Sequence, residues 1–158
     1  MNKEEKRTLV IQSCIDHQTH IAQTAKQEMD SAQQQSNEYG ANVDRYDSFR
    51  TKMMRSRDMY ARQYSNASTS IRYLQDLLKM SPLDRGTHGA IVITDKQKFF
   101  LSIGAGKFMV PFNIENNEDQ ETYFAISAQV PIYKLLIDKK VGDTIMFNGI
   151  RQTILEIF

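Results

Sequence analysis

At 158 residues, with 41% apolar and 25% charged residues, the chain has the composition of an ordinary folded protein of one domain or two small ones, which excludes a disordered chain. Its formal net charge of +1 favours neither nucleic acid nor a membrane as a bulk electrostatic partner, so targeting by charge rests on local patches. The single cysteine, Cys14, excludes an internal disulfide, and the lack of a leader pattern or a long apolar run predicts a reducing, cytoplasmic location with no membrane partner.

From Lys3 to Ser36 there is neither glycine nor proline, and apolar or small residues recur at Ile11, Ile15, Gln18, Ala22, Ala25, Met29 and Ala32. The alternating steps of four and three form a heptad seam, the pattern of a helix that faces another helix along its length. A second seam runs through Met53, Tyr60, Tyr64, Ala67, Ile71, Leu74 and Leu78 and stops at Ser81-Pro82, where proline ends a helix. Each helix spans roughly 45 Å at 1.5 Å per residue for about 30 residues.

Two helices in an antiparallel hairpin pair residues at a constant index sum. Ile11 with Leu78, Ile15 with Leu74, Ala22 with Ala67 and Met29 with Tyr60 all share the sum 89, which puts the apex between Asp44 and Arg45. Layers far from the apex are aliphatic, the middle is alanine against alanine or tyrosine, and Ala32 against Arg57 is barely apolar. Packing is therefore expected to weaken toward the tip, as suits a slender probe inserted into a partner.

Beyond Pro82 the pattern changes to short strands, expected at His88–Thr94, Lys98–Ile103, Tyr123–Gln129, Thr144–Asn148 and Gln152–Phe158. Gly104-Ala105-Gly106 and Asn148-Gly149 mark turns, and the former lacks the spacing and the Ser/Thr of a phosphate loop, so it reads as a hairpin turn. Pro131 opens a short helix over Ile132–Ile137, and Asn113–Glu121 is the longest loop. The fold class is α+β: a helical hairpin over residues 1–80 with its tip near 38–50, then a compact β+α module over 81–158, joined by a short link at Met80–Thr87.

The tip carries the most distinctive chemistry. Asp44 and Asp47 stand three apart, so their carboxylates converge in a helix or a turn and suit a shared divalent cation, with Glu38 a third acid across the loop. The same two residues also read as the N-cap and first-turn acid of the second helix, satisfying free amides and the helix dipole. Arg45, Arg50, Lys52, Arg55, Arg57 and Arg62 place six positive charges against Asp47 and Asp58. They form either a solvated helix face or a contact for RNA phosphates or an acidic channel wall. Tyr46 and Phe49 either stack on a base or cap the packing of the hairpin end. Cys14, His17 and His20 step by three and drift around their helix, which argues against a metal site there. No Ser/His/Asp or Cys/His constellation has a supporting context, so an independent active site is not expected.

The segment Ile126–Phe158 resembles the end of the Gre transcript-cleavage factors. Ser127 and Pro131 lead into a short helix with Leu135 and Leu136, then Lys139-Lys140-Val141-Gly142-Asp143 forms a turn before two closing strands. The resemblance is close in residues over the last third of the chain and extends to nearly all of it in architecture. It implies an FKBP-like C-terminal domain attached to an N-terminal antiparallel coiled coil. In that family the β domain docks on bacterial RNA polymerase while the coiled coil enters the secondary channel and carries an acidic pair to the catalytic centre. The family tip reads roughly Gly-Asp-x-x-Glu-Asn-Ala-Glu-Tyr. Here Asp44-Arg45-Tyr46-Asp47 keeps the acid spacing without the Asn-Ala-Glu-Tyr. The tip also resembles a divergent Gre-like branch in which Asp, a basic residue, Tyr and an acid precede an Arg and paired methionines, here Arg50, Met53 and Met54.

What the resemblance implies is a monomeric factor that binds RNA polymerase and the nascent RNA within it. Asp44 and Asp47 would hold a Mg²⁺ shared with the polymerase, with no cofactor in isolation, and promote phosphodiester hydrolysis of backtracked RNA. Two other readings stand beside it: a channel-blocking regulator that cleaves nothing, and an FKBP-like, coiled-coil interaction module unrelated to transcription.

Overall fold

The computed structural model describes residues 1–38, 47–112 and 119–158. Two long helices come first, α1 (Lys3–Glu38) and α2 (Asp47–Leu78), followed by β1 (Ile91–Thr94), β2 (Lys98–Leu101), β3 (Gly106–Pro111), β4 (Gln120–Ile126), the short helix α3 (Pro131–Leu136), β5 (Thr144–Phe147) and β6 (Ile150–Ile157). The chain divides into two compact units, Met1–Asp16 together with Tyr73–Phe158, and His17–Arg72.

In the first unit α1 begins with a reciprocal cap. Asn2 Oδ1 accepts from the Glu5 N–H at 2.8 Å while Glu5 Oε2 accepts from the Asn2 N–H at 3.0 Å, so amides with no intrahelical partner are satisfied. The six strands form one sheet in the order β3-β4-β2-β1-β6-β5. All neighbours are antiparallel except β2 and β4. Helix α3 starts at Pro131, whose missing N–H costs nothing at a first helical position. Its Ile132, Tyr133 and Leu136 pack on Val92, Phe99, Leu101, Ile145, Ile154 and Ile157 to make the core. A side chain at Gly86 would collide with the Leu136 carbonyl. That close approach lets Gly86 exchange hydrogen bonds with Lys139 O at 2.8 Å and the Asp138 N–H at 2.7 Å.

The same unit holds the ends of both long helices, with Val10, Ile11, Cys14, Ile15, Leu74 and Leu77 buried. Arg7 is buried among them at 2% exposure. Its guanidinium donates to three carbonyls, Gly89 O at 2.6 Å, Leu77 O at 3.1 Å and Phe158 O at 3.4 Å. Burial lowers its pKa, and its Nε finds no partner among the described residues.

In the second unit the buried residues are small or polar: Gln18, Ala22, Ala25, Ala32 and Ser36 of α1 and Ala67 of α2. The expected α1 seam is therefore buried except at Met29, which is half-buried, and Ser36 extends it by one further step of four. On α2 the seam is less closed: Ala67 is buried, Met53, Tyr60 and Ile71 are half-buried, and Tyr64 is exposed. Arg57 Nη1 donates to Gln33 Oε1 at 2.7 Å, tying the helices at an index sum of 90, one away from the expected 89.

Several sequence expectations change in detail. The strand at Gly106–Pro111 is absent from them, although Phe108 and Val110 point inward between exposed Lys107 and Met109. Because β4 lies between β2 and β3, Gly104–Gly106 is a crossing connection and not a hairpin turn. The first strand begins at Ile91, after His88, and Gln120 and Glu121 belong to β4 in place of the expected loop. Asn148 and Gly149 do form the two-residue turn, with φ of 51° and 75°, closing the Phe147–Ile150 pair. Among the described residues no helix is long and apolar enough to cross a membrane.

Candidate functional site

The site indicated by the sequence centres on the chain between α1 and α2. Asp44, Arg45 and Tyr46 lie outside the described residues, as does the stretch 113–118 of the acidic loop. Asp47 is the first residue of α2, and Glu38, the last of α1, is exposed. What can be built upward is the first turns of α2.

Helical periodicity puts Ser48, Thr51, Lys52 and Arg55 on one face, at i, i+3, i+4 and i+7. They line an open concavity of about 430 Å³. Two hydroxyls that donate or accept and two cations that only donate make this face suited to phosphate oxygens or carboxylates. Among the described residues no ion pair involves Lys52 or Arg55.

The other cations of the run are placed differently. Arg57 gives two bonds to Asp58 Oδ1, from Nε at 3.2 Å and Nη2 at 2.7 Å, besides its bond to Gln33, so its fork is already committed within the fold. Arg50 is half-buried, and Arg62 is exposed two turns beyond Arg55. The basic run thus separates into an open face, Lys52 and Arg55, and a structural clamp, Arg57. Phe49 is half-buried.

No group of three His, Cys, Asp or Glu able to hold a metal occurs among the described residues. Cys14 is fully buried and desolvation pushes its thiol up to about 12, so it stays a protonated, unreactive core group. In the β unit, α3 packs its Ile132, Tyr133 and Leu136 into the core of the sheet. A smaller concavity of about 270 Å³ lies at the β1–β2 turn, between Thr94–Lys98 and Thr122 with Phe124. Its back wall is stiffened by Thr94 Oγ1 donating to buried Gln152 Oε1 at 2.7 Å, with Gln152 Nε2 donating to Gln97 Oε1 at 3.1 Å.

Two groupings escape the sequence reading. One is the Arg7 carbonyl cage, invisible because a charged residue in a helix reads as solvated. The other is His88, whose Nδ1 lies 2.8 Å from the Tyr133 hydroxyl while its ring centroid is 5.5 Å from that of Tyr73. Burial lowers the His88 pKa and raises that of Tyr133. Comparison with family models, with curated proteins and with solved structures gave no match to this chain.

Proposed function

We propose that the chain is a Gre-like factor of bacterial RNA polymerase, in which α1 and α2 form an antiparallel coiled-coil hairpin and the β unit is an FKBP-like docking domain. The hairpin end enters the secondary channel, and the factor acts in the cytoplasm as a monomer. The observation that carries this reading is the open Ser48–Thr51–Lys52–Arg55 face directly after Asp47, at the start of the long helix α2. A thin helical pair with a polar, cationic end suits a narrow channel lined by acids and RNA phosphates.

The residue order Ser127, Pro131 and Lys139–Asp143 supports the same assignment, since it falls at the start of α3 and in the turn leading to β5. In the catalytic form of this proposal Asp44 and Asp47 hold the second Mg²⁺ of the polymerase centre and orient the attacking water, while Lys52 and Arg55 neutralise the RNA backbone. The chain supplies carboxylates to the polymerase and no active site of its own.

RNA cleavage in stalled elongation complexes tests the proposal. Wild type is expected to release short 3′ fragments and the Asp44→Asn/Asp47→Asn double variant to lose that stimulation by about 100-fold or more, the scale of removing one preorganised electrostatic group from a catalytic centre. Equal activity of the two would sink the catalytic form. Polymerase binding without cleavage by either would leave a channel-blocking regulator, the second form that the departure from Asn-Ala-Glu-Tyr after the acid pair leaves open.

A further inference from the structure

The concavity at the β1–β2 turn is backed by a chain of hydrogen bonds whose direction is fixed from inside the fold. Thr94 and Gln152 are buried, at 4% and 2% exposure. Thr94 Oγ1 accepts the N–H of Lys96 at 3.2 Å and that of Gln97 at 2.9 Å, so its lone pairs are taken. The Gln97 carbonyl, 3.0 Å from the same hydroxyl, already receives the Thr94 N–H at 2.8 Å. The hydroxyl proton therefore goes to Gln152 Oε1 at 2.7 Å, which turns Gln152 Nε2 toward Gln97 Oε1 at 3.1 Å. The chain ends on Gln97 Nε2, a donor with no acceptor among the described residues.

The parallel register sets Phe99 beside Phe124, so Gln97 and Thr122, each two residues earlier, stand side by side on the same face. Thr122 Oγ1 gives its proton to the Met109 sulfur at 3.3 Å, a weak acceptor, and keeps its lone pairs open. Phe124, half-buried, lines the same space. A donor, an acceptor and an aromatic floor thus enclose about 270 Å³, below the roughly 300–1,000 Å³ of pockets for drug-sized ligands, which suits a single amino-acid unit. The charges lining the space cancel: Lys98 is held by Glu121 at 2.6 Å, and Lys96 is the neighbour of Asp95.

We infer that this concavity binds one extended, uncharged peptide residue with a small apolar side chain. An extended residue presents its N–H and C=O on the same side, as it does to a neighbouring strand. Its C=O accepts from Gln97 Nε2, its N–H donates to Thr122 Oγ1, and its side chain lies on Phe124. Buried Thr94 and Gln152 are positioning residues, which hold Gln97 with its donor outward before the ligand arrives. The inference rests on the β unit alone and stands whatever the hairpin does.

N-acetylvaline methylamide, titrated into the full chain and followed by NMR, probes the site. It is expected to shift the Gln97 side-chain amide and the Thr122 backbone amide with a Kd of about 1–10 mM, the range for a ligand of roughly a dozen heavy atoms. An analogue with an ester oxygen in place of the valine N–H is expected to bind about fivefold more weakly. Gln97→Glu keeps an acceptor for Gln152 but replaces the outward donor. It is expected to weaken binding by about tenfold or more, with the amide spectrum away from the site unchanged. Thr122→Val removes the acceptor, so it should weaken the methylamide about fivefold and leave the ester analogue unaffected. Blocked Ala-Val-Ala separates two sources of the ligand: tighter binding than the single residue assigns a segment of a partner chain, and equal binding a free amino-acid amide, both upholding the site. N-acetylvaline as its carboxylate reads the pull of Lys96 and of Lys107, which stands across from Phe124. Tighter binding of the carboxylate than of the methylamide would overturn the inference. So would a Gln97 side-chain amide that no probe shifts, or equal binding by wild type and both variants.

Discussion

The two units of this chain use the same two helices in opposite ways. Where α1 and α2 belong to the β unit, they bury Cys14 together with Val10, Ile11, Ile15, Leu74 and Leu77, aliphatic side chains each worth about 1.5–3 kcal/mol when taken from water. Between His17 and Arg72 the buried residues are Ala22, Ala25, Ala32 and Ala67 with Gln18 and Ser36, which remove far less apolar surface per layer. Small residues let two helices approach closely but provide little burial, so the second unit relies on intrinsic helix propensity and on single ties such as Arg57 to Gln33. The difference separates the units by what they bury: large apolar side chains in the first, small or polar ones in the second.

Substitutions sharpen that contrast. Leu74→Ala, at a fully buried position in the first unit, is expected to destabilise by about 3 kcal/mol through lost transfer energy and a cavity. Ala67→Gly on the same helix, in the second unit, is expected to cost only about 1 kcal/mol, the propensity difference. Urea midpoints and native-state hydrogen exchange measure both, with Ala67→Gly raising exchange within His17–Arg72 and leaving the sheet amides protected. Equal costs would mean that the two stretches share one cooperative core.

Arg7 offers a comparable test of the first unit. Arg7→Ala removes the donor to Gly89 O and leaves a buried carbonyl orphaned, so a loss of about 3 kcal/mol is expected. Arg7→Met fills the volume but supplies no donor, and should restore part of that loss. If Met restores all of it in chemical denaturation, the carbonyl cage contributes nothing and Arg7 acts only as apolar filling.

What can be read beforehand follows the physics of each region. The α1 seam is legible because its buried positions, Gln18 apart, are small or apolar at heptad spacing, and Ser36 escapes because a serine carries no hydropathy signal. Arg7 is unreadable since its burial depends on three carbonyls contributed by Leu77, Gly89 and Phe158, far away in sequence. Strand β3 does show alternation at Phe108 and Val110, but Gly106 and Pro111 at its ends look like loop residues. For the candidate site, the shared face of Ser48, Thr51, Lys52 and Arg55 follows from helical spacing. The commitment of Arg57 does not, since Gln33 is 24 residues upstream.

The smallest expected effect concerns acid. Desolvation lowers the His88 pKa in the folded chain, so the fold favours the neutral ring beside Tyr133 and Tyr73. The unfolded chain takes up its proton near the ordinary value of about 6.5, while the folded chain resists until a lower pH. Stability is thus fully present above that value and declines as pH falls through the folded pKa. Because much of His88 remains exposed, the slope should be shallow. Urea midpoints followed from about pH 7 to pH 5 should fall, and His88→Asn should flatten the profile. Since His88, Tyr73 and Tyr133 all belong to the first unit, the acid effect should appear in hydrogen exchange at Val92 and Leu101 before Ala67. An equal effect at Ala67 would place the proton-sensitive contact elsewhere and remove His88 as its origin.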